Sequence, residues 1–297
     1  MHAAIPTSLN LALTRLVLTS IGFLLFALPI LLSFSPWWSL ILVPAVWLFL
    51  INWSLIHEAI HRNLHPDREK NESLGRWLSI AMGASYDVLR FGHLTHHQLN
   101  RDWQGEIVGK SSLKSLFHYY WTLLGGLYWT EVFTTFLMAV MPAKYCPALA
   151  GAMMPNHPHV VENGVRTFIT KGRLAKVRTD ALVIALVYFG TVAVYSQHLI
   201  VLIALLTLRA LIISFFDNLY HYDTPADNSN AGKVLGLPVW MEPALLYGNY
   251  HGTHHRNPKL PWNQLKAEHH QKRQIADGEF IEHALMQFKG PICFQNR

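Results

Sequence analysis

Residues 37–61 read WWSLILVPAVWLFLINWSLIHEAIH. The first twenty are almost entirely apolar, a run long enough to cross a hydrocarbon core of about 30 Å as a helix. Two tryptophans stand at its start, where membrane helices often carry interfacial aromatic anchors. Two histidines stand at its end, four positions apart, so a helix places both imidazoles on one face. The stretch predicts a membrane span over 37–56 that ends in a pair of metal-ligating side chains.

Three further apolar runs complete two helical hairpins. The first hairpin pairs 9–34 with 37–56 across a turn that contains Pro36. The run at 9–34 is too long for a removable signal peptide, and no small-residue cleavage site follows it. The second hairpin pairs 181–195 with 199–216. The sequence therefore predicts four membrane spans.

Another apolar stretch, 117–141, is less regular. Gly125 and Gly126 interrupt it, and Glu131 lies within it. These features predict an interfacial or re-entrant element instead of a full span. The segment that follows, 142–178, contains several prolines and a run of basic residues, and it is predicted to be a loop.

The composition agrees with a membrane protein. Of 297 residues, 51% are hydrophobic and only 14% are charged, against about a quarter in a soluble domain. The formal net charge of +6 comes from basic residues scattered between the apolar runs. This pattern disfavours nucleic acid, which needs a basic stripe, and favours anionic lipid headgroups or an acidic partner. Cys146 and Cys293 are too few for a metal cluster or a disulfide framework.

The predicted fold is all-α, a single membrane domain over 1–297. It has four transmembrane helices in two hairpins, interfacial helices, and a cytoplasmic histidine-rich cap to which the C-terminal part, 217–297, belongs. Neither hairpin turn contains Lys or Arg, whereas nearly all basic residues lie in the other connections. By the positive-inside rule both turns face outward, and both termini and the histidines face the cytoplasm. The short loops favour the inner membrane of a bacterium.

Histidine is the most informative residue type. The chain has eighteen, as many as Asp and Glu together, and imidazole is the commonest side-chain metal ligand. Two of the clusters have the spacing HxxHH, in which a helix points the first and last imidazoles one way and offsets the middle one. The nine predicted metal ligands are His57 and His61; His93, His96 and His97; His221; and His251, His254 and His255.

The clusters can meet only if they lie on one membrane face. Between His97 and His221 the chain must then cross the bilayer an even number of times. The second hairpin supplies two crossings, so 117–141 is predicted not to cross. Nine imidazoles exceed the roughly four ligands of a zinc site and suit two metal ions. Imidazole binds Fe, Zn, Cu and Ni, so ligand type alone leaves the metal open.

The order HxxxH, HxxHH, HxxHH resembles that of the membrane fatty acid desaturase and hydroxylase superfamily. The third cluster is followed by PKLPW at 258–262, which is similar to the C-terminal signature of that superfamily. His221 resembles the additional ligand of stearoyl-type desaturases. Those enzymes carry Asn four positions earlier, where this chain has Asp217, followed by Asn218. The resemblance covers roughly residues 40–265.

This resemblance implies a di-iron centre on a four-span scaffold. Two Fe ions would use O2 as co-substrate to remove hydrogen from an unactivated C–H bond of a lipid or acyl chain, chemistry beyond any general acid or base. Electrons would come from a separate donor, a ferredoxin or a b-type cytochrome with its reductase. The compact chain, the HxxxH cluster and the P-x-x-P-W signature favour desaturation. Hydroxylation and oxidative decarboxylation to a terminal alkene start from the same oxidant and stay open.

Polar residues near the clusters are predicted to orient imidazoles without binding metal: Glu58, Asn100, Asp102 and Asn218. Asp217 is predicted either to do the same or to bind the metal directly. Arg209 lies in the middle of a predicted span, about 18 Å along the helix from His221. A charge within a membrane span is typically functional, and a substrate carboxylate is the predicted partner of Arg209. An internal pair with Glu131 or a snorkelling side chain is the alternative.

Two other function classes fit parts of the pattern. Residues 57–61 match HExxH, the zinc protease motif, in which Glu58 would be the general base. Such a protease within the membrane needs a third ligand, usually an Asp from a later span, and the spans predicted at 181–195 and 199–216 contain none. It also leaves six histidines unexplained. A metal transporter would place its ligands at mid-membrane, whereas these histidines lie at the ends of spans.

Overall fold

The computed structural model describes residues 4–100, 113–154, 156–225 and 228–292. Five of its helices are long and apolar enough to cross a membrane: Thr7–Leu32, Pro36–Ile60, Leu113–Val140, Arg173–Val194 and Leu199–Leu219. This confirms the predicted class, a helical membrane protein. The helices within these ranges are α1 (Thr7–Leu32), α2 (Pro36–Ile60), α3 (Arg68–Met82), α4 (Tyr86–Leu99), α5 (Leu113–Val140), α6 (Cys146–Met153), α7 (Pro158–Thr170), α8 (Arg173–Val194), α9 (Leu199–Leu219), α10 (His251–Arg256), α11 (Leu265–Gln271) and α12 (Phe280–Met286). Two short strands, Leu235–Gly236 and Gly278–Glu279, pair in parallel.

Helices α1 and α2 form one hairpin, and α8 and α9 form another. The two hairpin turns lie together, because the Ser33 hydroxyl is 3.2 Å from Nε2 of His198. One turn above them, the Tyr195 hydroxyl donates to the carbonyl of Leu24 at 2.6 Å. The hairpins therefore run side by side with their turns at one end. The opposite end carries the segments that hold the histidines.

Helix α8 begins eight residues before the span predicted at 181–195. Its added turns are polar, and some of their side chains are buried against other protein segments. Asp180 is fully buried there, bonded to Arg76 at 2.5 Å and to the hydroxyl of Ser85 at 2.8 Å. The span predicted at 181–195 contains no Asp, as expected, but the helix is longer than that span, because hydropathy does not register a charge that is paired inside the protein. Asp180 belongs to neither of the histidine groups described below.

The prediction of a loop over 142–178 was wrong, because this segment contains α6 and α7. Pro147 and Pro158 lie in the first turns of these two helices. At that position proline costs no hydrogen bond and its fixed φ favours the helix. Read without the structure, the same prolines look like helix breakers.

Helices α3 and α4 form a shorter hairpin that is buried against α8. Arg173 joins α3 to the first turn of α4, because it binds Glu72 at 2.8 Å and Asp87 at 3.0 Å. Its turn lies among the long helices, because the carbonyl of Met82 accepts from the Tyr128 hydroxyl at 2.6 Å. The hairpin thus delivers α4, and the histidines on it, into the centre of the protein.

Helix α5 is broken in its middle. The break lies within Thr122–Gly126, where Leu124 and Gly125 leave helical geometry. Gly125 has a φ of +115°, and a β-carbon there would lie 3.2 Å from Cβ of Ala210. Glycine satisfies both demands, the positive φ and the close contact with α9. The Gly-Gly interruption seen in the sequence is therefore a sharp bend.

Both ends of α5 lie at the histidine end of the α8–α9 hairpin. Near its start, the Tyr119 hydroxyl accepts from Nδ2 of Asn218 at 3.5 Å, at the end of α9. At its finish, the carbonyl of Ala139 accepts from Arg178 at 3.2 Å, near the start of α8. The bend reaches only the level of Ala210, about 14 Å along α9 from its end. This geometry favours the predicted re-entrant element over a fifth crossing.

We expect the two ends of α5 to be accessible from the same side of the membrane. Leu113 and Val140, 86% and 80% exposed, are each replaced by Cys in a chain whose Cys146 and Cys293 are Ala. A membrane-impermeant maleimide should label both in inside-out vesicles and neither in right-side-out vesicles. The control is Phe34→Cys in the first hairpin turn, which should show the opposite pattern. Labelling of the two α5 positions from opposite sides would establish a full crossing.

Candidate metal centre

The nine histidines predicted as ligands lie together and form two groups. In each group the ligand nitrogens are all within 4.8 Å of one another. They come from the end of α2, from α4, from the residues after α9, and from α10. The five-histidine group is His57, His61, His93, His97 and His254, and the four-histidine group is His96, His221, His251 and His255.

The helical spacing decides which imidazole enters which group. On α4, His93 and His97 enter the five-histidine group, and His96 enters the other. On α10 the first and last histidines enter the four-histidine group, and His254 enters the five-histidine group. The prediction that the middle histidine of each HxxHH is offset is thus confirmed. Each of these two helices contributes to both groups and joins them.

Backbone carbonyls fix the ring orientation of three imidazoles in the four-histidine group. A carbonyl can only accept a hydrogen bond, so the Nδ1 atom of each ring must carry the hydrogen. The Nε2 atom then keeps a free lone pair, as a metal ligand requires. The three Nδ1-to-carbonyl contacts are His96 to Asn100 at 3.3 Å, His221 to Ala231 at 3.2 Å, and His255 to Ser229 at 2.9 Å.

The Nε2 atoms face one another at short range. Six pairs lie 2.8–3.1 Å apart. In the pair His96–His221 both hydrogens are committed to Nδ1, so two lone pairs meet at 3.1 Å. That contact is repulsive unless a cation lies between them. Nε2 of His57 is also buried without a hydrogen-bond partner. The nitrogen atoms of the two groups therefore fit metal ions as ligands.

The number of ligand atoms bears on the kind of metal. Five histidines in one group exceed the four ligands of a structural zinc site. This number favours a metal that accepts more than four ligands.

The two groups are in direct contact, and their rings are buried. The rings of His97 and His255, one from each group, stack with centroids 4.4 Å apart. Burial lowers the pKa of His255 to about 4. Burial and neighbouring imidazoles hold the pKa values of His93 and His254 well below the usual range. These imidazoles are therefore neutral at pH 7, which is the form that binds metal.

Glu58 lies beside the five-histidine group, as predicted. Its Oε2 accepts from the backbone N–H of Trp262 at 3.2 Å, and its Oε1 lies 3.7 Å from Nδ1 of His57. The Trp262 indole in turn donates to Asn10 at 2.9 Å. The tryptophan of the P-x-x-P-W signature thus joins α1 to the first histidine cluster. The sequence marked this tryptophan as part of a motif but did not show its contact with Glu58.

The other polar residues predicted near the clusters have different positions. Asp217 lies between the two cavities described below and is in neither histidine group. The amide of Asn218 donates to Gln287 at 2.7 Å, in the C-terminal part of the chain. Asn100 contributes its backbone carbonyl to His96, while its side chain binds the carbonyls of Pro225 and Asn228. Asp102 lies outside the described residues.

Arg209 is fully buried in α9 and binds protein groups. Its guanidinium donates to the carbonyl of Met82 at 2.9 Å, at the C-terminal end of α3, and to the Tyr188 hydroxyl. It also lies 5.0 Å from the ring centroid of Phe49. A cation at a helix C-terminus is favoured by the helix dipole. This position favours a structural role over the predicted substrate carboxylate, and Glu131 is not among the partners of Arg209.

Two cavities border the histidines. The smaller, about 80 Å³, is lined by His57, His251 and His254 with apolar residues of α2. The larger, about 190 Å³, is lined by His93, His96 and His221 and by mainly apolar side chains of α4, α5 and α7. Trp53 and Asp217 line both. The space next to the two groups therefore suits an apolar molecule.

Comparison with known proteins gives one match. A family model described as Fatty acid desaturase matches residues 32–283, most of the 297-residue chain. The matched region contains all nine histidines. No curated protein and no solved structure shows a significant match.

We expect each histidine group to hold one metal ion. His61→Ala should remove the ion of the five-histidine group, and His255→Ala that of the four-histidine group, because each substitution deletes a donor and exposes the others to water. Metal analysis of purified protein should give about two ions per chain for the wild type and about one for each variant. The exposed His270, changed to Ala, is the control and should keep both. Equal metal content in all three variants would contradict the assignment.

Proposed function

This chain belongs to the fatty acid desaturase family, and from that membership we propose that it is an O2-dependent di-iron oxidoreductase that introduces a double bond into a fatty acyl or related lipid chain. The observation that carries the proposal is the pair of touching histidine groups beside a mainly apolar cavity. Family membership makes the chain an oxidoreductase enzyme of the membrane. The metal, the reaction and the substrate are our proposal.

Iron fits the donor set better than zinc. Zinc has no redox chemistry and prefers four ligands, whereas one of these groups offers five imidazoles. Iron in such an environment supplies the oxidising power that an unactivated C–H bond demands. All nine histidines act as ligands in this proposal, His221 included.

The residues of the chain itself contribute position and dryness. Trp53 lies edge-on to His93, with ring centroids 6.3 Å apart, and separates the two cavities. An acyl chain in the larger cavity would lie against Leu89, Leu127 and Ile213, with the histidines at one wall. The apolar lining excludes water, which protects a reactive centre from side reactions. The backbone carbonyls that hold the imidazoles keep the donors in place between turnovers.

The membrane arrangement completes the proposal. The two hairpins cross the bilayer in four spans, α5 enters and returns, and the histidines and both termini face the cytoplasm of a bacterium. The separate electron donor, a ferredoxin or a b-type cytochrome with its reductase, binds the cytoplasmic face, where the basic connections attract an acidic protein.

The zinc protease alternative fits the structure poorly. Its motif at 57–61 accounts for two of the nine clustered histidines, whereas three others join the same group and four form the second group. Hydroxylation and terminal alkene formation use the same centre, and no contact among the described residues favours either over desaturation.

The decisive experiment joins product and metal analysis. A host without its own desaturase expresses the chain and receives fully deuterated fatty acids, and mass spectrometry of the total lipids should show products about four mass units lighter than the substrate chain, because two deuterium atoms are lost. Purified protein should contain about two iron ions. His93→Ala should abolish product and lower the iron to about one ion per chain, and the control His270→Ala should retain product and both ions. A fully active preparation without iron would end the proposal, and a product that gains oxygen would replace desaturation by hydroxylation.

Glu58→Gln distinguishes the oxygenase from the protease. The amide still accepts from the backbone of Trp262, so we expect product formation to fall several-fold and iron to be retained, because a residue beside the ligands only tunes them. A protease would lose all activity, since this carboxylate would be its general base. Product formation is measured as above. A complete loss of product with full iron content would show that the carboxylate takes part directly in the reaction.

A further inference from the structure

Glu131 is a carboxylic acid in an unusual place. It lies on α5 just after the bend and lines the larger cavity together with His93, His96 and His221. Its Oε1 would be 2.9 Å from a β-carbon at position 92, so the glycine at that position leaves room for the carboxyl group against α4. The next residue of α4 is His93. Glu131 therefore lies beside the histidines, in the space proposed for the substrate.

The Glu131 carboxyl group has no partner among the described residues. No hydrogen bond or ion pair joins it to them, and its backbone carbonyl accepts from Thr135 at 2.9 Å. A carboxyl group surrounded by apolar side chains is costly to leave without a hydrogen bond. The carboxyl group can therefore bind a molecule that enters the cavity.

The charges around the cavities select the kind of group that can enter. No Arg or Lys is among the described residues that line either cavity. Arg209, the basic residue inside α9, donates from Nη1 to Met82 and Tyr188 and lines neither cavity. A second carboxyl group, Asp217, lines the same cavity as Glu131. A free fatty acid carboxylate would meet two carboxyl groups and no cation among these residues, which is unfavourable.

We propose that Glu131 is a substrate-positioning residue that binds a hydrogen-bond donor of the lipid, a hydroxyl or an amino group, inside the larger cavity. This deepens the proposed function and rests on it. The oxygen of the carboxyl group accepts from the donor, and the hydrocarbon part extends along the apolar wall. The polar end of the substrate then lies next to the histidines, so the carbons that react lie close to that end and not in the middle of a long chain.

The test measures binding, independently of turnover. Tritiated 1-hexadecanol is bound to purified, iron-loaded protein in detergent micelles, and unlabelled lipids of the same chain length compete with it. We expect 1-hexadecanol and 1-hexadecylamine to compete about tenfold better than hexadecane, as one hydrogen bond in a dry site provides. Palmitate should compete worse than hexadecane. Palmitate that competes as well as the alcohol would overturn the proposal.

Variants identify the residue. In Glu131→Leu the alcohol, the amine and the hydrocarbon should compete equally well. In Glu131→Gln the alcohol should keep its advantage over the hydrocarbon within about twofold, and the amine should lose its advantage. The matched control is Glu162→Leu, because the Glu162 carboxyl also packs over a glycine, Gly151, but does not line the cavity. It should bind like the wild type. A preference for alcohol that persists in Glu131→Leu would refute the assignment.

Iron content and product analysis on the same samples separate this inference from the proposed function. Glu131→Leu should retain the iron of the wild type, since no ligand is changed. If the wild-type protein contained no iron and formed no desaturated lipid, the di-iron function would be refuted. The order in which the lipids compete would still test whether Glu131 binds a hydrogen-bond donor in the cavity. Wild-type protein with iron and product but with palmitate as the best competitor would refute only the role of Glu131.

Discussion

The structure depends on one electrostatic constraint, the meeting of imidazole lone pairs at about 3 Å. In His96 and His221 the Nδ1 hydrogens are held by backbone carbonyls, so the Nε2 atoms turn toward each other at 3.1 Å. Such a contact is stable only around positive charge. The hairpins, the broken helix and the C-terminal part all serve to bring these nitrogens to one place and to keep water from replacing them.

The part of the site that follows from helical periodicity could be predicted from the sequence. The offset of the middle histidine in each HxxHH is a direct result of 3.6 residues per turn, and it correctly predicts how α4 and α10 divide their imidazoles between two groups. The carbonyls of Ser229 and Ala231 could not be predicted, because every residue has a carbonyl and only the path of the loop selects these two. The helices α6 and α7 were missed because their prolines begin helices instead of ending them.

Charges within apolar segments were the least predictable feature. Asp180, Arg209 and Glu131 are each a charged residue in or beside an apolar run of the sequence. In the structure the first is paired with Arg76, and the second lies at the end of α3, bound to its last carbonyls. The third lines a cavity. In several of these contacts the neighbour lies a hundred or more residues away in the sequence. No local pattern of the sequence reveals such a neighbour.

The position of α10 near the end of the described chain has a consequence for biogenesis. Both histidine groups take a donor from α10, His254 for one and His251 and His255 for the other. A ribosome making about 5–20 residues per second makes the other six ligands first, and both groups stay incomplete until α10 has been made. A nascent chain stalled before α10 therefore carries an open cluster that must be shielded from the wrong ions.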